Sequence, residues 1–331
     1  VLQTALLADL DHRDAQGYRL YSRHGGVLEP IPFQFDQRNG EEFLFPDGTG
    51  EPAFEIDADD ELVFMARDAG ARAAHGDLPA DHDEAREIEL RDPVTGGQAW
   101  VYLLHFAGTP PPRSTARYAS FDAASNRARA LSYEITYAPQ RSYFTDVRVR
   151  GAHGTREQAL LARTRLLVNP TFSLLLTSWS PVFDEESFSS SIDGIRNGLV
   201  RAIRRVRQSL DLGAALPAAA GGTVYTYFYA SSFWTPTTFS IPAAALGALE
   251  SFRFREIEDF GADASGIEYW DGANIGGVRF TGHSRPASVD RGDHHLLMVS
   301  VILPEPFAAG AEAELLRMVK EPLEVTIHRV E

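Results

Sequence analysis

The feature that most constrains this chain is the alternation of apolar and polar side chains over short segments, each closed by glycine, proline, asparagine or aspartate. A period of two belongs to strands whose successive side chains point to opposite faces, so the pattern predicts a sheet protein. Tyr18 to Arg23, the turn His24-Gly25-Gly26 and Val27 to Phe35 read as a hairpin whose paired glycines supply positive φ. Glu87 to Arg91 and Gln98 to Phe106, joined by Asp92-Pro93-Val94-Thr95-Gly96-Gly97, read as a second hairpin. About a dozen further segments follow from Tyr118 to Val330, including Arg127 to Tyr137, Ala162 to Val168, Thr171 to Trp179, Gly198 to Leu212 and Thr223 to Phe233. Helical periodicity is confined to Thr155 to Leu161, Ala243 to Phe252 and Gly310 to Lys320. The expected fold class is mainly β: two antiparallel β-sandwich domains, the second larger, with few short helices.

Charge locates the division. Residues 1–100 hold 22 acids and 8 bases, whereas residues 113–207 carry 15 Arg against 8 acids. Thr109-Pro110-Pro111-Pro112 lies where the balance changes, and consecutive prolines favour an extended segment without amide donors. The expected domains are therefore an acidic sandwich over 1–108, a Pro-rich linker over 109–114 and a larger sandwich over 115–331. The first residue is Val1 and not Met, which gives the expectation of a chain processed by removal of a secretory signal. No apolar run approaches the roughly 20 residues of a membrane helix, so no transmembrane segment is expected.

Composition removes whole classes of chemistry. The chain has no cysteine, which excludes disulfides, thiolate metal sites, iron–sulfur clusters and thiol nucleophiles. Its bases are 30 Arg and one Lys, so lysine chemistry rests on Lys320 alone. No phosphate-binding Gly-x-x-x-x-Gly-Lys loop, nucleophile elbow, His-Glu-x-x-His helix or dinucleotide turn occurs. A net charge of -15 argues against nucleic-acid binding.

Several clusters remain as candidates. Tyr225, Tyr227 and Tyr229 share one face of a strand, with Trp234 just beyond, and such a row either packs between sheets or forms a platform for sugars or a protein. Arg201, Arg205 and Arg207 fall on one face of the preceding segment, opposite to Arg204; a row of guanidiniums either coats a solvated sheet or grips carboxylates and phosphates. Asp57, Asp59 and Glu61 present oxygen ligands at alternate positions and are the calcium candidate; the EF-hand pattern fails because Leu62 stands where glycine is required. His75, Asp77, Asp81, His82, Asp83 and Glu84 form a second metal candidate in one loop. Asp293, His294 and His295 are the general acid–base candidate.

Ile31-Pro32-Phe33-Gln34-Phe35-Asp36, followed by the run Asp59 to Gly70, resembles the N-terminal part of secreted bacterial β-proteins. Asp193-Gly194-Ile195-Arg196-Asn197-Gly198-Leu199-Val200-Arg201 resembles a strand-initiating segment of mutarotase-like supersandwich proteins. These resemblances cover under a tenth of the chain and imply a large β-sandwich in an extracytoplasmic, periplasmic or secreted, setting; they transfer no catalytic residue. The leading expectation is a non-catalytic binding or scaffold protein without cofactor, docking on an envelope protein partner, up to the extrinsic subunit of a membrane-bound complex. The alternatives are a carbohydrate-binding or carbohydrate-active protein and a calcium-dependent adhesin.

Overall fold

Antiparallel strands make up most of the computed structural model, and among the described residues no helix reaches seven residues. The structure describes residues 1–6, 10, 13–45, 54–93, 95–150, 157–174, 177–212, 219–240, 248–260, 268–271, 278–279, 299–302 and 324–330. The chain divides into two compact units, one comprising Val1–Ser120, Arg196–Ala202 and Ala313–Glu331, the other Phe121–Ile195 and Ile203–Glu312. This division differs from the expected one in three places. The Pro-rich segment belongs to the first unit, a short stretch after residue 195 returns to it, and so does the C-terminal strand.

The first unit has a five-stranded sheet in the order Glu324–Val330, Glu84–Arg91, Gln98–His105, Tyr18–His24, Val27–Pro30. The hairpin at its edge turns through Gly25 and Gly26 with φ of 56° and 89°, the left-handed geometry that glycine adopts without steric cost. The C-terminal strand pairs along its whole length with Glu84–Arg91, from Glu324 opposite Arg91 to Val330 opposite Ala85. Sequence spacing carries no signal for such a pairing, since more than 230 residues separate the partners. A three-stranded sheet, Leu2–Gln3, Glu61–Phe64 and Phe33–Asp36, supplies a second layer. Between the layers pack Tyr18, Leu20, Phe33, Phe35, Leu62, Ile88, Val101 and Leu103. Tyr21, Tyr102, Leu104 and Phe106 form a second cluster under Leu78. Coverage of both faces explains why Val101 to Leu104 is continuously apolar where a half-exposed strand would alternate.

The second unit contains a sheet built on the 18-residue strand Glu157–Leu174, which pairs with Phe144–Arg150 and Leu249–Phe260 and joins shorter strands. Two expectations fail here. Thr155 to Leu161 is strand from Glu157 onward, and Leu249 to Phe252, expected in a helix, is strand as well. Local helical preference is outweighed by ladder pairing, with Phe144–Arg150 for the first segment and with Glu157–Leu174 for the second, since tertiary pairing routinely overrides local propensity. The expected break between Val168 and Thr171 is also absent. Pro170 sits within the strand opposite Phe252, between the short partners that pair at Leu167 and Val168 and at Phe172 to Leu174. A residue lacking an N–H is tolerated where one side has no ladder partner.

A five-stranded sheet completes this unit: Phe188–Asn197, Ala202–Asp211, Ala219–Phe228, Phe233–Trp234 and Thr237–Ser240. Phe121, Tyr137, Phe144 and Phe228 form an aromatic cluster, with Phe121 and Phe228 stacked at 5.9 Å. Into it projects Arg204, fully buried, its guanidinium 4.4 Å from the centroid of Tyr137 and 5.4 Å from that of Phe121. Burial lowers its pKa to about 10. The helix expected over Gly310 to Lys320 lies outside the described residues.

The first unit is organised around a buried ionic cluster. Asp36, with no exposed surface, receives Arg196 Nε at 2.7 Å on one oxygen and Arg201 Nε at 2.8 Å on the other. Arg201 also meets Glu61, which Arg38 holds from the other side at 2.5 Å. Gln34 donates to Asp36 and accepts the backbone N–H groups of Val200 and Arg201 at 2.9 Å each. Gly198 leaves room for this amide, because a Cβ there would lie 1.9 Å from Gln34 Oε1. Burial pushes the Asp36 carboxyl upward, but the charges and hydrogen bonds of Arg201 and Arg196 outweigh it and hold the group below the usual carboxylate range.

Replacing Asp36 by Ala leaves two guanidiniums buried together, and urea titration should show a loss of about 3–5 kcal/mol. A depressed carboxylate stabilises the fold above its unfolded value, near pH 4, and that contribution fades as pH falls through the lower folded value. Asp36→Asn should therefore flatten part of the acid limb of the stability curve; an unchanged limb would refute this account.

Candidate functional site

The strand Ala219–Phe228 sorts its side chains by parity. Val224, Thr226 and Phe228 are buried on the inner face, and Tyr225 and Tyr227 stand on the outer. The outer rings stack on one another, 6.1 Å apart and 13° from parallel. Trp234 sits directly opposite Tyr227 in the ladder, with ring centroids 5.6 Å apart. Cross-strand neighbours of this kind come within ring contact because the ladder sets their Cβ atoms about 5 Å apart. Tyr227, between the two rings, is 8% exposed, whereas Trp234 is 53% exposed.

Arginine borders this row. Arg205 donates through Nε to Asp193 at 2.9 Å and hydrogen-bonds Tyr225, while Arg207 reaches the other oxygen of Asp193. Burial works against the Arg205 charge, but the bonds to Tyr225 and Asp193 prevail and raise its pKa. The face thus reads Asp193, Arg205, Tyr225, Tyr227, Trp234 across successive strands of one sheet, a charged end running into an exposed indole. Asp193 escaped the parity argument because it lies on a different strand, and nothing local in the sequence marks it as the partner of two arginines.

The expected row of three arginines separates. Arg205 and Arg207 stay on the outer face, but Arg201 precedes the strand Ala202–Asp211 and is 3% exposed, bound to Asp36 and Glu61 in the first unit. Parity counted through residue 201 assumed a continuous strand from Gly198, and the chain enters strand geometry only at Ala202. Tyr229 lies past the strand's end, in a turn closed by its N–H to Ser232 O.

The calcium candidates are engaged internally. Asp57 Oδ1 accepts from the Asp59 N–H at 2.8 Å, Asp59 accepts from the Gly40 N–H at 3.1 Å, and Glu61 turns away to Arg38 and Arg201. Of the second metal candidate, Asp83 bonds His105 at 2.8 Å, Glu84 pairs with Arg13 and Arg86, and Asp77 faces Arg23 at 3.6 Å. Among the described residues no three His, Asp or Glu side chains converge as a metal group. Asp293, His294 and His295 lie outside the described residues.

The two ends of the aromatic row differ in their share of the fold. Tyr227→Ala should lower stability by about 3 kcal/mol, since a buried ring leaves a cavity, and Trp234→Ala by under about 1 kcal/mol. Chemical denaturation of the two variants tests this; equal losses would mean that Trp234 is packed and not presented.

The chain was compared with protein-family models, curated proteins and solved structures, and nothing matches in any of the three.

Proposed function

We propose that the protein is a non-enzymatic binding protein that docks on a protein partner through the outer face carrying Trp234, Tyr225, Arg205 and Arg207. The observation that carries this reading is the exposed indole of Trp234 anchored on a buried tyrosine, at one end of a row whose other end carries Arg205. Trp, Tyr and Arg dominate the energetics of protein interfaces, because each offers large contact area with a polar tip or fork, and the two aromatic side chains have little rotamer entropy to lose. Here the rings are held in place before any partner arrives, which lowers the ordering cost of association.

A sugar platform makes a different demand, an open ring face. Tyr227 is 8% exposed and in ring contact with both neighbours, so it offers little open face for stacking on a sugar. Direct protein contact along ring edges and the indole suits the arrangement better. An envelope setting, with the partner in a membrane-bound complex, is part of the same proposal and draws on the resemblances given above.

The test is a photo-crosslinking amino acid placed at Thr235, beside the indole, in the full chain expressed in its own host. A single crosslinked protein that vanishes in Trp234→Ala and persists in Leu131→Ala, an exposed apolar residue elsewhere, supports docking. Saturable, Trp234-dependent retention on a glycan array with no crosslinked protein transfers the site to carbohydrate. Crosslinking indifferent to Trp234 removes it as an interface.

A further inference from the structure

The first unit contains a cavity of about 720 Å³ that neither the aromatic face nor the buried ionic cluster uses. It lies between the turn Ala15–Gly17, the end of the strand Gln98–His105 and the segment that carries the consecutive prolines. Arg13, Arg19, Arg113 and His105 line it, against one carboxylate, Asp14. The sign is reversed from that of residues 1–100, whose acids outnumber bases by 22 to 8.

The three guanidiniums are not equivalent. Arg13 is already bridged to Asp83 at 3.3 Å and Glu84 at 2.9 Å. Arg113 donates to Ala15 O at 3.1 Å and lies 4.9 Å from the centroid of Phe33. Arg19, 8% exposed, donates to the carbonyls of Gln16 at 2.9 Å, Tyr18 at 2.6 Å and Pro111, and among the described residues it meets no carboxylate. Burial, and then the charge of Arg113, lowers the pKa of Arg19 to about 10. A desolvated cation that meets no carboxylate among the described residues, pressed by a second cation, is a costly arrangement. Carbonyl dipoles hold its fork in position, and an oxyanion placed between the two guanidiniums would remove the repulsion and accept charge-assisted hydrogen bonds.

The walls suit an organic molecule. Phe106 and Pro110 offer apolar surface beside the cations, and the volume is that of a small-molecule site rather than of a single inorganic ion. Gly17 keeps the wall open to the His105 ring, since a Cβ there would lie 2.7 Å from its Nε2. Asp83 fixes that ring from the other nitrogen at 2.8 Å.

We propose that this cavity binds a small organic molecule through an oxyanion group, phosphate or carboxylate, gripped by Arg19 and Arg113. The full chain is titrated at constant ionic strength with inorganic phosphate, glucose 6-phosphate, succinate and sodium chloride, and both melting temperature and heat of binding are followed. A ligand that binds only the native state raises the melting temperature with the logarithm of its concentration beyond Kd. The expected result is saturable binding of a phosphate or carboxylate compound and none of chloride, the stronger class identifying the anion. Arg19→Gln should weaken it at least about tenfold, and Arg129→Gln, at an exposed side chain of the second unit, should leave it unchanged. Should Arg19→Gln fail to fold, Arg113→Gln, at a half-buried position, is held to the same tenfold criterion. Absence of saturable binding up to about 10 mM, a chloride effect equal to the rest, or full affinity in a folded arginine variant overturns the proposal.

Discussion

A carboxylate with no exposed surface persists inside the first unit because two guanidiniums, drawn from more than 150 residues away in sequence, each take one of its oxygens. Asp36 with Arg196 and Arg201 fixes where the segment Arg196–Ala202 lies, and Gln34 reads the backbone of that same segment at Val200 and Arg201. Gly198 is required by the same contact. Buried ion pairs add little net stability compared with apolar packing, but they penalise any arrangement in which one partner is missing. Their effect here is on specificity: only one placement of the segment satisfies both oxygens of Asp36 together with Gln34.

The structure uses arginine in four environments, and geometry separates their roles. Arg201 is neutralised by two buried carboxylates. Arg204 lies against aromatic rings with a backbone carbonyl as its acceptor. Arg205 and Arg207 share one half-exposed aspartate on a sheet surface. Arg19 is satisfied by carbonyls alone among the described residues. A planar fork with fixed donors serves all four, which a lysine ammonium would not.

Much of the sheet architecture was legible before any coordinates. The hairpins at Gly25-Gly26 and between Arg91 and Gln98 follow from turn chemistry and alternation, both of which act over a few residues. Parity likewise put Tyr225 and Tyr227 on one face and Arg204 opposite Arg205. It failed at Arg201, where the strand had not begun, and the helix expected over Thr155 to Leu161 is strand from Glu157 onward because that stretch pairs with Phe144–Arg150. Trp234 could be named as a candidate from its type, but its contact with Tyr227 depends on ladder register, and its exposure depends on how the sheets pack in three dimensions. The cavity at Arg19 had no sequence signal, since its lining comes from two distant stretches, 13–19 and 105–113, and its key property is that Arg19 meets carbonyls and, among the described residues, no carboxylate.

Alternation, punctuating turns, the lack of cysteine and the presence of a single lysine were enough to establish an antiparallel β protein and to discard thiol, Schiff-base and nucleotide-loop chemistry, because those inferences need only residue identity and short spacing. Which arginines are buried, which aromatic ring is presented, and which strand closes the first sheet were decided in three dimensions. Each depends on partners far apart along the chain, and the energy of a buried charge is set by what surrounds it rather than by its neighbours in sequence.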